Sequence, residues 1–282
     1  MDMTTQRRKA ETFLSLHTNG SLLILPNIWS PIGARILEAE GYPAVATASS
    51  AISASLGYDD GEKIKRSTLI SILSRVAGSV DIPVTADIEA GYGKTISQLE
   101  DTILQVIDAG VVGINIEDSL VEGGPLRSIA EQCERIEHIR AVSGHRGLPL
   151  VINARVDSFV SDSFKTNQAR IEEAVVRGQA YAKAGADCVY PMCAGGVETL
   201  KELRDRIDSP INVLAAHDAA PLAVLKDIGI NRVSFGPYIF RSCLKKFVNI
   251  VHVLRDLGGY ECFGEETMTR NEARVFLRRE AE

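Results

Sequence analysis

The sequence predicts an α/β fold, a (β/α)8 barrel of the TIM type, and three observations carry that expectation. Short apolar and β-branched runs recur at intervals of about 25 to 40 positions. About eight can be counted, the number a closed barrel needs. Longer stretches with helical spacing separate them, the alternation expected of a parallel sheet under a cover of helices. Glycines able to adopt the left-handed helix stop follow three of those stretches, at Glu40-Gly41, Ala109-Gly110 and Ala184-Gly185. A doubly wound open sheet usually carries a glycine-rich phosphate turn after an early strand, and this sequence has none.

The first strand is expected at 22–26. Asn27-Ile28-Trp29-Ser30-Pro31 then reads as a helix start, with Ser30 as N-cap and Pro31 at the first helical position, so a helix follows at 32–40. The run 44–49 gives the second strand, ending in Ser49 and Ser50, with a helix at 67–78. The third strand, 83–88, stops at Asp87 and Glu89 before a helix at 97–109. The fourth, 113–118, ends in Asn115, Glu117 and Asp118 and precedes a helix at 128–142. The fifth, 150–157, carries Asn153, Arg155 and Asp157 and leads to a helix at 169–184. Strands at 188–193, 211–215 and 232–236, with helices at 197–207, 221–228 and 238–257, complete the set. Residues 1–260 are thus assigned to the barrel and 261–282 to a charged, amphipathic C-terminal helical tail. Met268, Ala273, Val275, Phe276 and Leu277 of that tail are expected to cover the barrel bottom or dock on another subunit.

Composition narrows the class of partner. A net charge of −6 and scattered Lys and Arg offer no basic face for nucleic acid. No apolar run approaches a membrane span, and the first 18 residues are too polar for a secretory segment, so a cytoplasmic location is expected. Cys133, Cys188, Cys193, Cys243 and Cys262 are odd in number and lack C-x-x-C spacing, which reads as reduced thiols rather than zinc ligands or a disulfide frame.

Chemistry is expected where the strands end, because barrel active sites lie at that face. Asp87 and Glu89 are two residues apart on one strand and point the same way. Converging carboxylates call for a cation, and hard oxygen ligands suit magnesium, with manganese as the alternative. Glu117 on the next strand adds a carboxylate, and Arg155 on the one after could hold an anionic substrate bidentately. The competing reading is a solvated strand end in which Arg155 merely neutralises Glu117 or Asp157.

Thr85-Ala86-Asp87-Ile88-Glu89-Ala90-Gly91-Tyr92-Gly93 resembles a signature of the isocitrate lyase/phosphoenolpyruvate mutase superfamily. So do, in order, Asn27-Ile28-Trp29-Ser30, Ser49-Ser50, the segment from Leu56 to Glu62, Gly113-Ile114-Asn115-Ile116-Glu117-Asp118 and Asn153-Ala154-Arg155-Val156-Asp157. The resemblance implies a Mg2+ ion held directly by Asp87, with Asp60, Glu89 and Glu117 reaching it largely through water. It also implies a small 2-oxo or 2-hydroxy carboxylate as substrate, with Arg155 at its charged end and Trp29, Ser30, Ile32 and Ser49 lining the pocket. Polarisation of the 2-oxo group by the metal would stabilise the enolate left when a bond to C3 breaks.

Two departures from the family pattern bear on mechanism. The carbon-carbon lyases carry a K-K/R-C-G-H loop after strand four, whereas this chain reads Ser119-Leu120-Val121-Glu122-Gly123-Gly124-Pro125-Leu126-Arg127. The Lys-Asn pair of the mutases is missing as well, which leaves Glu122 as the one replacement acid beside the candidate catalytic residues Glu117 and Arg155. Pro31 stands where mutase-like members have a glycine whose N–H holds the substrate, although the amides of Ile32 and Gly33 remain. Met192 replaces a mutase histidine and reads as an apolar pocket wall.

The function expected is a Mg2+-dependent lyase or decarboxylase acting on a small 2-oxo dicarboxylate or substituted malate through a pyruvate-type enolate, as in oxaloacetate decarboxylase-like members. A phosphonate mutase or phosphonopyruvate hydrolase is the alternative within enzymes, and a non-catalytic metal or metabolite binder the alternative outside them. The resemblance further implies a homodimer or homotetramer, family members commonly exchanging a C-terminal helix between subunits.

Overall fold

Pro26 breaks the first strand in two, and the break decides how the sheet closes. The computed structural model describes residues 2–121, 123–192, 195–217, 219–264 and 267–277. It begins with helix α1 (Met3–Ser15), then β1 (Leu23–Leu25), β2 (Asn27–Ile28), α2 (Pro31–Ala39), β3 (Val45–Thr47), α3 (Ser49–Ser55) and α4 (Arg66–Ala77). β4 (Val84–Asp87), α5 (Ile96–Asp108), β5 (Gly113–Glu117), α6 (Ile129–His145), β6 (Val151–Val156), α7 (Asn167–Lys183) and β7 (Cys188–Pro191) follow. The last units are α8 (Val197–Arg206), β8 (Asn212–Leu214), α9 (Leu222–Asp227), β9 (Arg232–Ser234), α10 (Tyr238–Arg255) and α11 (Arg270–Val275).

All ladders are parallel, in the orders β2-β3-β4-β5-β6-β7 and β1-β9-β8. Proline has no N–H to give a ladder, so the strand shifts partners at Pro26, from β9 before it to β3 after it. A parallel bridge between Val189 and Ile211 joins the other edges and completes the eight-stranded barrel. Register sets the site: Asp87 lies opposite Asn115, Asn115 opposite Asn153, and Glu117 opposite Arg155. No helix among the described residues is long and apolar enough to cross a membrane.

The eight barrel helices fall within a few residues of their expected places, but the chain departs from expectation at four points. The strand expected at 44–49 stops at Thr47, and Ser49 opens α3. Serines score poorly as helix formers, yet Ala48 and Ala51 pack with Phe240 and fix that turn. Ser30 sits at the N-cap of α2 without a side-chain cap bond. Among its described residues the tail is helical over α11 and a 3-10 turn at Glu261–Phe263. Met268, Val275 and Leu277 are exposed rather than seated on the barrel bottom.

The bottom is covered instead by α1, for which the sequence reading has no element. Its Phe13 is fully buried and approaches Gly113 so closely that a Cβ there would lie 2.7 Å from the ring. Gln6 Nε2 donates to the carbonyls of Ile107 (2.7 Å) and Val111 (3.0 Å), and Lys9 Nζ to that of Val80 (3.0 Å). These polar side chains satisfy a carbonyl in the last turn of α5 and two in the loops that lead into strands, which explains why a polar helix is nonetheless buried on one face. Above Phe13 the interior is polar: Arg232 Nη2 donates to Asn115 Oδ1 (3.2 Å), which also accepts from Asn153 Nδ2 (2.6 Å).

Candidate active site

Asp87 closes β4 at the mouth of the barrel. Its Oδ2 accepts from the backbone N (3.2 Å) and Oγ (2.7 Å) of Ser49, so the serine expected to line the pocket is tied to the carboxylate beside it. Thr47 Oγ1 receives the Asp87 amide at 3.1 Å. The other oxygen, Oδ1, receives a long contact of 3.4 Å from the Glu89 amide, which leaves it spare acceptor capacity.

Glu89 is buried and fully engaged. Its Oε2 accepts the amides of Gly61 (2.7 Å) and Glu62, and its Oε1 the hydroxyl of Tyr92 (2.9 Å). Glu62 in turn accepts the Tyr92 amide on Oε1 at 2.6 Å. The loop after β4 is thereby locked to the segment that carries Asp60. Backbone strain marks the lock, since Glu62, Glu89 and Tyr92 have φ of 57°, 54° and 51°. Side chains rarely hold that left-handed conformation without surrounding restraint. Gly91, at φ 98°, completes the turn, and a Cβ there would lie 2.6 Å from Leu99.

Arg155 shows both faces of the competing expectations. Its Nη1 pairs with Glu117 Oε2 at 2.8 Å and its Nε with Asp157 Oδ1 at 2.6 Å, so it does neutralise barrel carboxylates. Its side chain and that of Glu117 nevertheless keep 16% exposure at the mouth. Nη2 takes no partner among the described residues, which leaves one N–H edge for a ligand. Trp29 packs edge-on against Phe240, ring centres 4.9 Å apart, while Ser30 is half-buried and Ile32 exposed beside it at the start of α2. Glu122 lies outside the described residues.

The electrostatics follow from crowding. Burial, then Asp87, pushes the Asp60 carboxyl up to about 6, and burial, then Asp60 and Asp87, pushes Glu89 up to about 7. Glu117 is raised well above the usual carboxylate range by burial, against the pull of Arg155 and with Asp157, Asp87 and Glu89 adding to the rise. Asp60 Oδ1 is buried with no hydrogen-bond partner. Unsatisfied buried oxygens beside mutually repelling carboxylates are a fit for a divalent cation. No group of three His, Cys, Asp or Glu side chains closes directly on one point among the described residues. A cation here would keep most of its water, as magnesium prefers, with Asp87 as the inner ligand and Asp60, Glu89 and Glu117 ordering that water.

A pH dependence follows with a definite sign. The metal-free folded chain binds more protons than the unfolded chain between about pH 4 and 7, because these carboxyls titrate late. Stability from them is present below their unfolded pKa and is lost as pH rises through 6 to 7. Differential scanning fluorimetry should therefore show the melting temperature of the metal-free protein falling over that window. Added Mg2+ should raise it more at pH 7.5 than at pH 5, since metal binding needs the deprotonated groups.

Several of these contacts lay beyond the reach of sequence reasoning. Glu62 and Tyr92 stand in the motif but gain a role only through the left-handed turns that bring them onto Glu89. Asp157 and Ser119 meet across two strand ends, and Asp118 turns away from the mouth to Arg177 Nη1 (3.1 Å) and Tyr181 Oη (2.8 Å) on α7. The flanking glycines Gly61, Gly91 and Gly93 are the one local signal that the first of these was there to find.

Comparison with known proteins agrees with this geometry. Residues 13–255 match the family model described as phosphoenolpyruvate phosphomutase. A 2-methylisocitrate lyase of Aeropyrum pernix is 27% identical over 262 residues, covering 89% of this chain and 81% of the relative. An oxaloacetate decarboxylase of Pseudomonas putida is 29% identical over 254 residues, covering 86% and 83%. The crystal structure of a candidate phosphonomutase from Burkholderia cenocepacia is similar with a TM-score of 0.82 at 31% identity, covering 90% of this chain and 100% of that one. The matched span runs from the end of α1 to the end of α10 and so takes in every strand end described above: the chain belongs to the phosphoenolpyruvate phosphomutase family and is an enzyme of the superfamily it shares with the isocitrate lyases.

Proposed function

We propose that this enzyme is a Mg2+-dependent carbon-carbon lyase or decarboxylase acting on a small 2-oxo dicarboxylate or substituted malate and releasing pyruvate or a close relative. The observation that carries the reading is Arg155, held between Glu117 and Asp157 at the strand ends, with Asp87 near enough to act on the same Glu117 carboxyl. An anionic end of the substrate would meet the Arg155 guanidinium, while Ser49 and the start of α2 take the end nearer the metal. A bound divalent cation supplies Lewis-acid stabilisation of charge developing on the 2-oxygen. Glu117, whose burial makes it late to lose its proton, is the carboxyl we assign as the proton carrier of the reaction. A phosphonopyruvate hydrolase of the same fold, at TM-score 0.82 and 22% identity, was solved with oxalate and Mg2+, which motivates the choice of metal and probe.

The test is pyruvate release, followed with a coupled lactate dehydrogenase assay, from oxaloacetate, 2-methylisocitrate and dimethylmalate, with and without Mg2+ and against the spontaneous rate. Metal-dependent pyruvate from at least one of them supports the reading. Turnover of phosphonopyruvate alone would assign the phosphonate chemistry instead, and Mg2+-oxalate binding without turnover of any of them would make the barrel a binder.

We also propose self-association through α10. Of its 18 residues only Phe240 is buried, and Leu244, Phe247, Val248, Val251, Val253 and Leu254 lie exposed on a strongly amphipathic helix. An apolar face of that size calls for a partner, and a second copy supplies the same face. Sedimentation velocity should give a dimer or tetramer, and Phe247→Glu should shift it towards monomer; a monomeric wild type at micromolar concentration would refute it.

A further inference from the structure

Arg155 can serve a substrate only if its guanidinium stays in one orientation, and two carboxylates compete for it. We propose that Ser119 and Asp157 are positioning residues that hold Arg155 with a single N–H edge free for the distal carboxylate of the substrate; this rests on the reading of the site given above. Asp157 is fully buried, so each of its oxygens needs a donor. Oδ1 takes Arg155 Nε at 2.6 Å, and Oδ2 takes the hydroxyl of Ser119, itself 2% exposed. With both oxygens fixed, the carboxylate cannot rotate, and the planar guanidinium it grips cannot rotate either.

Ser119 is in turn held from both sides. The amide of Asp157 donates to Asp118 Oδ1 at 3.0 Å, and Asp118 Oδ2 accepts from Arg177 and Tyr181. Arg177 Nη1 also donates to the carbonyl of Arg127 at 2.8 Å, and the Arg127 amide to the carbonyl of Asp118 at 2.8 Å. Ser119 and Leu126 form an antiparallel bridge between these feet. The residue directly after the Glu117-Asp118 strand end is therefore locked in space by α7, and its one polar atom is spent on Asp157. A hydroxyl that only filled space would need no such frame. Without it, Oδ2 of Asp157 would lack a partner in a dry site, and Glu117 would compete for the loosened guanidinium at its other edge.

The test compares malate and oxalate by isothermal titration calorimetry in the presence of Mg2+, with malate first checked for cleavage under the same conditions. Malate carries a distal carboxylate, and oxalate does not. In Ser119→Ala the Kd for malate should rise roughly tenfold, about 1.4 kcal/mol, while that for oxalate stays within about twofold. Ser119→Thr, which keeps the hydroxyl, should restore malate binding. Where turnover is measured, KM should rise with kcat little changed, the pattern of lost ground-state grip. Equal weakening of both ligands would mark Ser119 as merely structural and overturn the proposal, as would unchanged malate affinity. Wild-type protein that binds oxalate but not malate would refute the role of Arg155 at the distal carboxylate and the proposal with it. Binding of neither ligand would instead fail the metal site, and so the reading on which the proposal stands.

Discussion

Replacing Asp87 with alanine is expected to lower kcat/KM roughly a thousandfold, about 4 kcal/mol of transition-state stabilisation, and to abolish the rise in melting temperature on adding Mg2+. The size follows from the division of labour at the mouth. Glu89 spends both oxygens on Gly61, Glu62 and Tyr92, and Glu117 spends Oε2 on Arg155. Asp87 Oδ1 receives only the 3.4 Å contact from the Glu89 amide, which leaves this strand-end oxygen open to a cation, with the unpartnered Oδ1 of Asp60 as a neighbouring charge. Folding should not suffer in proportion. The variant takes the Asp87 acceptor from the Ser49 amide and hydroxyl, leaving Asp60 as the hydroxyl's neighbouring acceptor, and it removes one of the charges that push the carboxyls of Asp60 and Glu89 upward. At pH 7.5 the metal-free variant should thus melt within a few degrees of metal-free wild type. Calorimetry with Mg2+ and oxalate reads the binding loss directly. An Asp87→Ala protein that still binds Mg2+-oxalate with wild-type affinity would sink the metal assignment.

Legibility in the sequence tracked the kind of force at work. Alternating apolar runs and amphipathic stretches report burial, which is summed over many residues, so the eight strands and their helices were readable to within a few positions. α1 was not, because its buried face includes Gln6 and Lys9, whose worth lies in capping distant carbonyls at Ile107, Val111 and Val80. α3 was missed for a related reason, its serine-rich sequence being held as a helix by contacts with Phe240 far along the chain. At the site, strand order set Glu117 against Arg155, as the register shows, whereas β4 ends at Asp87 and Glu89 follows it at φ 54°, so the i and i+2 rule of a strand does not govern that pair. What strand parity could not convey was the use of each oxygen. That Glu89 is satisfied by a turn from 61–62 and that Ser119 holds Asp157 depend on backbone in left-handed or loop conformations, and that Ser49 is bound to Asp87 depends on a helix, α3, opening where a strand was expected. The same limit falls on the expected tail, whose amphipathic pattern does not say which surface, if any on this chain, receives Met268, Val275 and Leu277, all exposed.

Arg155 is the second position of large effect, and its two standard replacements should fail in different ways. Arg155→Met removes the shared cation from between Glu117 and Asp157, leaving two carboxylates with little solvent beside them. Breaking a buried pair in this manner costs about 3 to 5 kcal/mol of stability, and the cost has a pH signature. Glu117 already holds its proton late, so acidification towards pH 5 neutralises it and should recover part of the loss, whereas pH 8 should show the full deficit. Arg155→Lys keeps a charge and should keep most of the stability. One ammonium cannot donate along Nε, Nη1 and Nη2 in a fixed plane, however, so it can satisfy the carboxylates or the substrate but not both in the original geometry. A KM for the dicarboxylate substrate raised on the order of a hundredfold is expected for lysine, about 2.7 kcal/mol, with near-normal urea denaturation. Stability and turnover should therefore separate in the lysine variant and fall together in the methionine variant. If lysine restores both, the guanidinium acts only as a neutralising charge inside the barrel, and the anionic end of the substrate must be held elsewhere.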